Sequence, residues 1–285
     1  MTSTRRIFLA VDAASADLTA DDRHLADALE RLDVEAVPMQ WGADPPAGAT
    51  VVIRSTWDYV EQPARFVTWL ESLAAADVVV HNPVPLLRWN LHKRYLVELA
   101  EHGVPTVPTQ IVPAGARVSV TALRDELSAA DIVVKPAIGG TARLAAHSRQ
   151  LGLSALQRHL DAITHTEDAL VQPFVDSIEA HGEISIVAVA GVPCLAVEKR
   201  AAPGDWRVHA EFGGTATAVA LTSALDDVAT TALRSLPTTP TYARIDVVVG
   251  PTGFQVLELE LVEPELFFRL DPDLADRLAR VLEQR

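Results

Sequence analysis

The stretch Tyr242–Phe268, Y-A-R-I-D-V-V-V-G-P-T-G-F-Q-V-L-E-L-E-L-V-E-P-E-L-F-F, leaves this chain little freedom. It reads as two apolar strands joined by a short Gly/Pro turn. Successive side chains on a strand point to opposite faces. Ile245, Val247 and Val249, then Leu257, Leu259 and Leu261, fill one parity, while Arg244, Asp246, Glu258 and Glu260 occupy the other. With Pro251-Thr252-Gly253 as the loop and Gly253 in the left-handed position, Asp246 falls near Glu258 and Arg244 near Glu260. Directly opposed side chains sit roughly 5 Å apart, and three carboxylates that close repel unless something positive lies between them. Mg²⁺ takes oxygen ligands of this kind, with phosphates completing its shell. A surface hairpin with a solvated charged face explains the same pattern.

The 285 residues suffice for one large domain or two to three small ones. A net charge of −14 argues against nucleic acid as a partner, and against an anionic membrane surface. A phosphate-bearing ligand in such a protein needs local positive charge or metal. The single cysteine, Cys194, excludes an internal disulfide and a multi-cysteine zinc site. The N-terminal M-T-S-T-R-R-I-F-L-A-V-D is too short in apolar residues for a secretory leader, and no stretch is long enough to span a membrane. The expected location is the cytoplasm, where thiols stay reduced.

Short apolar runs at Ile7–Val11, Val34–Val37, Val51–Arg54 and Val78–Val80 alternate with helical patterns at Asp21–Arg31 and Gln62–Ala75. Strand–helix alternation implies a parallel α/β sheet over residues 1–88. Ligands bind such sheets beyond the carboxyl ends of their strands, which is where Arg54, Ser55, Thr56, Trp57, Asp58 and Tyr59 fall. These six are the expected substrate contacts. Asn90 reads as a helix cap with Trp89 a packed ring. Lys135 ends a short strand and is followed by Gly139-Gly140-Thr141, a composition that suits a loop over phosphate. An ordinary strand–turn junction explains it too. Later come a hairpin, Ile184–Ala190 with Val192–Glu198, a helix Ser223–Leu236 and a helix Asp273–Leu282. The second half is richer in antiparallel hairpins. His92 and His209 read as surface or loop residues, and Cys194 as a small packed hydrophobe.

Taken in order, the motifs R-S-T-W-D-Y, N-P-V-P-L-L-R-W-N-L-H-K-R-Y-L, V-V-K-P-A-I-G-G-T, L-V-Q-P-F, H-G-E-I-S, G-D-W-R-V-H-A-E-F-G-G and Y-A-R-I-D…L-E-L-E-L-V-E-P resemble the ATP-grasp ligases. The resemblance covers most of the chain and is nearest to the O-ureido-serine cyclo-ligase branch. It implies an α/β fold in three parts: residues 1–88 a doubly wound substrate-side domain, 89–171 a central lid domain, and 172–285 a catalytic antiparallel-sheet domain. It also implies ATP-dependent activation of a carboxylate as an acyl phosphate, which an amine then attacks. The substrate is a small amino-acid-like carboxylate, with the nucleophile in the same molecule if the cyclo-ligase likeness holds. An intermolecular amino-acid or dipeptide ligase is the enzyme alternative. An inactive nucleotide-binding regulatory module is the alternative of another class.

Carried over residue by residue, the resemblance has Asp246, Glu258 and Glu260 hold Mg²⁺ (or Mn²⁺) between ATP phosphates, and Arg244 stabilise the acyl phosphate. Lys93 and Lys135 bind phosphates, with Gly139 and Gly140 over them. Gln172, Phe174 and Val175 line the adenine hinge, and Glu183 takes the ribose hydroxyls. Lys199 and Arg207 face the γ-phosphate or the substrate carboxylate. Two departures stand out. Glu258-Leu259-Glu260 replaces the usual Glu-x-Asn, and the glycine lid is short, so closure rests on other loops or the nucleotide is held more loosely. The family analogy further suggests a homodimer.

Overall fold

The computed structural model describes residues 5–284, so residues 1–4 of the stretch weighed as a leader lie outside it. The first unit runs β1 (Arg5–Val11), α1 (Ala20–Glu30), β2 (Val34–Gln40), β3 (Thr50–Ile53), α2 (Pro63–Ala75) and β4 (Val79–His81). Its strands form a parallel sheet in the order β2-β1-β3-β4. Parallel strands are covered on both faces and therefore read as continuous apolar runs; Val51, Val52 and Ile53 are fully buried. Phe66, Trp69, Leu70 and Leu73 on α2 are buried together, as their helical spacing predicts.

A second set follows: α3 (Val84–Leu91), α4 (Tyr95–Glu101), β5 (Gln110–Val112), α5 (Val120–Glu126), β6 (Ile132–Pro136), β7 (Ala146–His147), α6 (Ser148–Leu151), α7 (Leu153–Thr164) and β8 (Ala169–Pro173). Its antiparallel sheet has the order β5-β8-β6-β7. The last set is α8 (Ser177–His181), β9 (Glu183–Val189), β10 (Val192–Arg200), β11 (Thr215–Val219), α9 (Ser223–Arg234), β12 (Tyr242–Gly250), β13 (Gly253–Glu260) and α10 (Pro272–Glu283). Here the antiparallel order is β11-β10-β9-β12-β13. Thr222 caps α9, its hydroxyl accepting from the Leu225 N–H. Among the described residues no helix is long and apolar enough to cross a membrane.

The five-stranded sheet has two unlike faces. One is apolar at its centre: Ile186, Ala188, Ala243, Ile245, Val247 and Leu259 pack with residues of α4 and α9. The other changes character along its length. Val187, Val189, Leu195 and Tyr242 bury against Leu266–Phe268, α10 and α1. Further along the same strands the residues become Glu183, Ser185, Lys199, Arg244 and Asp246. Two of the hydrophobic cores therefore cross the boundaries expected from the sequence. Residues of α4 share a core with this last sheet, and α10 returns to α1 of the first unit.

The hairpin keeps the expected pairing, Asp246 with Glu258 and Arg244 with Glu260, but by a different route. Gly250 pairs with Gly253, so the tip is only Pro251-Thr252, and Gly253 adopts φ +134° instead of the left-handed helical value. A bulge between Asp246 and Val247 then restores the register by leaving Leu257 as the extra residue. Leu257 is thereby turned from the core parity toward the open face. Asn90 also departs from expectation. It lies within α3, and its side-chain amide donates to the Leu259 carbonyl (2.8 Å) and accepts from the Leu261 N–H (2.7 Å). It extends the β13 edge as a further strand would.

Arg54 is 2 % exposed and belongs to the junction between the first unit and the segment after β13. Its guanidinium donates to Asp22 (2.8 Å), Asp21 (3.4 Å) and the Pro264 carbonyl (3.2 Å). Asp21 also accepts from the N–H groups of Leu266 (3.0 Å) and Phe268 (2.7 Å). Removing one member of a buried pair strands the other charge. Arg54→Met should therefore destabilise the protein by about 3–5 kcal/mol in denaturant unfolding, because Asp22 loses its cation. Unchanged stability with a raised KM would restore the substrate role.

Candidate active site

The polar end of the five-stranded sheet forms the wall of a cavity of about 100 Å³. β9 brings Glu183, β12 Asp246, and β13 Glu258 and Glu260, while the bulge adds Leu257. The facing wall comes from the other antiparallel sheet: Lys135 on β6, Gln172 and Pro173 at the end of β8, then Phe174 and Val175. Lys93 enters from the link between α3 and α4, tied to the Ala137 carbonyl by its own N–H (2.8 Å). Gly139, Gly140, Trp206, Arg207 and His209 close the rim. So twelve of the residues expected at the nucleotide, metal and phosphate positions, scattered along the sequence, line one space: Lys93, Lys135, Gly139, Gly140, Gln172, Phe174, Val175, Glu183, Arg207, Asp246, Glu258 and Glu260.

Their charges interleave. Glu258 accepts from Lys93 at 2.5 Å and lies 3.8 Å from Lys135. Asp246 accepts from Arg244 (3.0 Å), Lys199 (3.2 Å) and the Ser185 hydroxyl (2.5 Å). Lys199 also pairs with Glu183, and Arg244 with Glu260 (2.5 Å). Burial alone would raise each carboxylate, yet Lys93 and Lys135 hold Glu258 down at about 2, and Arg244 and Lys199 hold Asp246 far below the usual range. Glu183 is raised to about 7, where burial outweighs Lys199. Burial, with Glu258 and Asp246 close by, also raises Glu260 despite its arginine. Lys135 is the cation that burial lowers.

This arrangement corrects the expectation that three carboxylates converge. Among the described residues no three His, Cys, Asp or Glu side chains form a ready-made metal centre. Glu258 is instead drawn to Lys93, and Asp246 and Glu260 to a shared Arg244, since a buried charge requires a partner. The donor set still suits a magnesium ion that arrives with phosphates. Hard oxygen donors line the cavity, and Mg²⁺ asks only one or two carboxylates of the protein.

A second cavity, of about 150 Å³, abuts the first. The two share Gly140, Thr141, Val208, His209 and Glu260. Lys199 and Arg244 line the second, with Trp57, Glu263, Glu265, Phe267 and Arg269. Of the six expected substrate contacts, only Trp57 reaches it. Arg54 is in the buried network above, and Ser55 donates to Asp22 (2.5 Å). Thr56 is fully buried, Asp58 accepts from the Trp41 indole (2.5 Å), and the buried Tyr59 donates to Glu263. A polar run at a strand end points to ligand in an open sheet; here another unit covers it. Arg207 is held by Asp205 (2.7 Å) and sits over the Phe212 ring.

Sequence reasoning missed Leu257, Trp206, Phe267, Arg269 and the cavity-lining role of Glu263. Trp206 packs on His147 (5.2 Å) and Phe174 (6.3 Å) behind the first cavity. Two loops flank the short glycine segment. The one after β6 holds Thr141, Ala142 and Leu144 at φ near +50°, a conformation that non-glycine residues adopt at a cost. The one before β11 folds over the rim because Gly214 lies against Val208: a Cβ there would meet the Val208 carbonyl oxygen at 2.2 Å.

His209 stands where the cavities meet, with a buried Nδ1 that has no hydrogen-bond partner among the described residues. Burial first, then Lys199 and Arg244, lower it to about 4. The folded protein therefore binds fewer protons here than the unfolded chain, whose histidine titrates near 6.5. Stability from this group is present above that value and lost as pH falls toward 4. The drop in denaturation midpoint from about pH 7 to about pH 5 should be smaller in His209→Asn than in the wild type.

Residues 7–82 match the model of the D-cycloserine synthetase DcsG N-terminal domain, and residues 103–264 that of the prokaryotic glutathione synthetase ATP-grasp domain. The chain is 32 % identical over 296 residues to the cycloserine biosynthesis protein DcsG of Streptomyces lavendulae, covering 97 % of each. It superposes on the crystal structure of D-cycloserine synthetase DcsG with a TM-score of 0.87 at 31 % identity, covering 98 % of this chain and 99 % of that one. The fold also matches the ATP-grasp ligase PsnB solved with a precursor variant, Mg and ADP (TM-score 0.65, 15 % identity, 99 % and 98 % covered). Three sheets in this order, a carboxylate-bearing hairpin and these matches make the chain a member of the ATP-grasp ligases, related to D-cycloserine synthetase.

Proposed function

We infer that this ligase uses ATP to activate the carboxylate of a small amino-acid-like substrate and joins it to an amine nitrogen. The observation that carries the reading is the shared wall between the cavities. The first offers Lys93 and Lys135 as point charges for phosphate oxygens. The second offers Arg244 and Lys199 to a carboxylate. Glu260 and His209 stand between. The γ-phosphoryl group leaves ADP for a carboxylate oxygen at that wall, and nitrogen attack on the acyl carbon then expels phosphate. Positioning and charge neutralisation are the protein's task in both steps.

Phe174, Val175 and Leu257 give the purine an apolar slot, with Trp206 behind. Asp246, Glu258 and Glu260 would hold Mg²⁺, which neutralises charge between the phosphates. Glu258 changes partner in doing so: phosphates attract Lys93 and Lys135 and release it. Arg244, already aimed along Glu260, is placed to stabilise the oxyanion of the tetrahedral intermediate.

Similarity to DcsG along the whole chain supports ring closure within one substrate, as in the O-ureido-serine cyclo-ligase branch. The match to the glutathione synthetase ATP-grasp domain supports intermolecular ligation as the second reading. ATP, Mg²⁺ and a panel of amino acids and O-ureidoserine separate them, with released phosphate and product mass as readouts. One added substrate suffices for cyclisation; ligation requires two. Nucleotide binding with no stimulated phosphate release across the panel points to a regulatory module instead. Glu258→Gln should lower kcat by at least about a hundredfold with the fold intact, since it removes charge aimed at the phosphates. Full activity in that variant excludes the metal and phosphate assignment.

A further inference from the structure

Lys93 reaches the first cavity from neither a strand nor a helix. It sits in the short link between α3 and α4, flanked by His92 and Arg94. A long side chain on a short link has many rotamers to lose. How well it meets a phosphate therefore depends on what holds the link.

The hold comes from Asp168, a half-buried carboxylate just before β8. One of its oxygens accepts from the Ala114 N–H (2.9 Å) and the other from the His92 imidazole (3.2 Å), with Arg94 at 3.5 Å. The tautomer of His92 follows from its second bond. Its Nδ1 accepts from the Arg94 N–H (3.1 Å), so the proton is on Nε2, the nitrogen that faces Asp168. A doubly protonated ring would lose that Nδ1 acceptor. Burial lowers the histidine against the pull of Asp168 and so favours the neutral form that both bonds need.

The backbone closes a circuit around Lys93. The Asp168 carbonyl accepts from the Ala137 N–H (2.8 Å), one step beyond the Pro136–Ala169 pair of β6 and β8. The Ala137 carbonyl accepts from the Lys93 N–H (2.8 Å), and Lys93 Nζ donates to the Gly139 carbonyl (2.7 Å). Asp168 thus grips the link through its side chain and the glycine segment through its backbone. Both are fixed to β6, which carries Lys135. His92, Arg94 and Asp168 do not line the first cavity themselves.

We propose that Asp168 and His92 are positioning residues for the phosphate end of the nucleotide site, holding the Lys93 link and the Gly139–Gly140 segment as one unit. The assignment rests on the nucleotide reading above. Neither side chain touches the ligand; their effect is preorganisation. A cation already in place loses less freedom when phosphates arrive. The apolar slot of Phe174, Val175 and Leu257 lies outside the circuit, so the base end should not feel it.

The test is calorimetric binding to the full chain with Mg²⁺ present. Three probes are used: ATP, inorganic tripolyphosphate as a phosphate chain without a base, and adenosine as a base without phosphates. Asp168→Ala should weaken ATP and tripolyphosphate by about tenfold each, the scale of one hydrogen bond to a charged group. Adenosine should stay within about twofold. His92→Ala should behave alike, and the double variant should lose less than about twofold more, since both changes break one contact. His92→Gln, whose amide can still donate to Asp168, should recover most of the loss. Unchanged ATP affinity in Asp168→Ala overturns the proposal. So does an equal loss for adenosine, which would mean that the whole site has slackened, and so do additive losses in the double variant. A wild type that binds neither ATP nor tripolyphosphate refutes the nucleotide reading itself, and this proposal with it.

Discussion

Asp246 is 3 % exposed and accepts from two cations and a hydroxyl. The chemistry of this protein depends on that cluster. A buried carboxylate survives only with a compensating charge and its lone pairs filled, so placing Asp246 in the sheet obliges Arg244 and Lys199 to be buried beside it. Each of those then draws a further carboxylate, Glu260 and Glu183. The result is an alternating lattice on the polar end of one sheet face, inside a chain of net charge −14. An acidic protein thus gathers cations in one place, the local positive charge that a phosphate-bearing ligand requires.

The lattice requires a register, and the hairpin provides one. Side chains alternate with a period of two, so a slip of one residue would turn Asp246 and Arg244 away from Glu258 and Glu260. The two-residue tip alone would produce that slip. The bulge at Leu257 cancels it and delivers an apolar side chain to the first cavity. The sequence pattern shows where the carboxylates must fall, since alternation fixes parity. It does not show the bulge, because a three-residue loop and a two-residue loop with a bulge give identical pairing at Asp246 and Arg244.

The same limit explains the other differences. Lys135, Gln172 and Glu183 were legible because strand ends and their motifs sit in local sequence. Arg54 was misplaced for want of non-local information: Asp21 and Asp22 on α1, and the carbonyl of Pro264, decide its fate. Asn90 was taken for a cap because an amide near a helix start usually is one. Its partners are Leu259 on β13 and Leu261 just past that strand, 169 and 171 residues away in the chain. Glu263 lies in a loop with no periodicity, and only the fold shows that it lines the second cavity.

These observations join two parts of the molecule that the sequence presents separately. Asp21 and Arg54 fix the segment after β13, that segment fixes Glu263, and the strand before it carries Glu258 and Glu260. The first unit is therefore tied to the second cavity mainly through the backbone of that segment. Of its strand-end residues, only Trp57 lines that space, and it too holds the Glu263 carbonyl. In this fold the α/β unit holds the segment that lines the second cavity, while the five-stranded sheet brings Lys199, Arg244 and Glu260 to it.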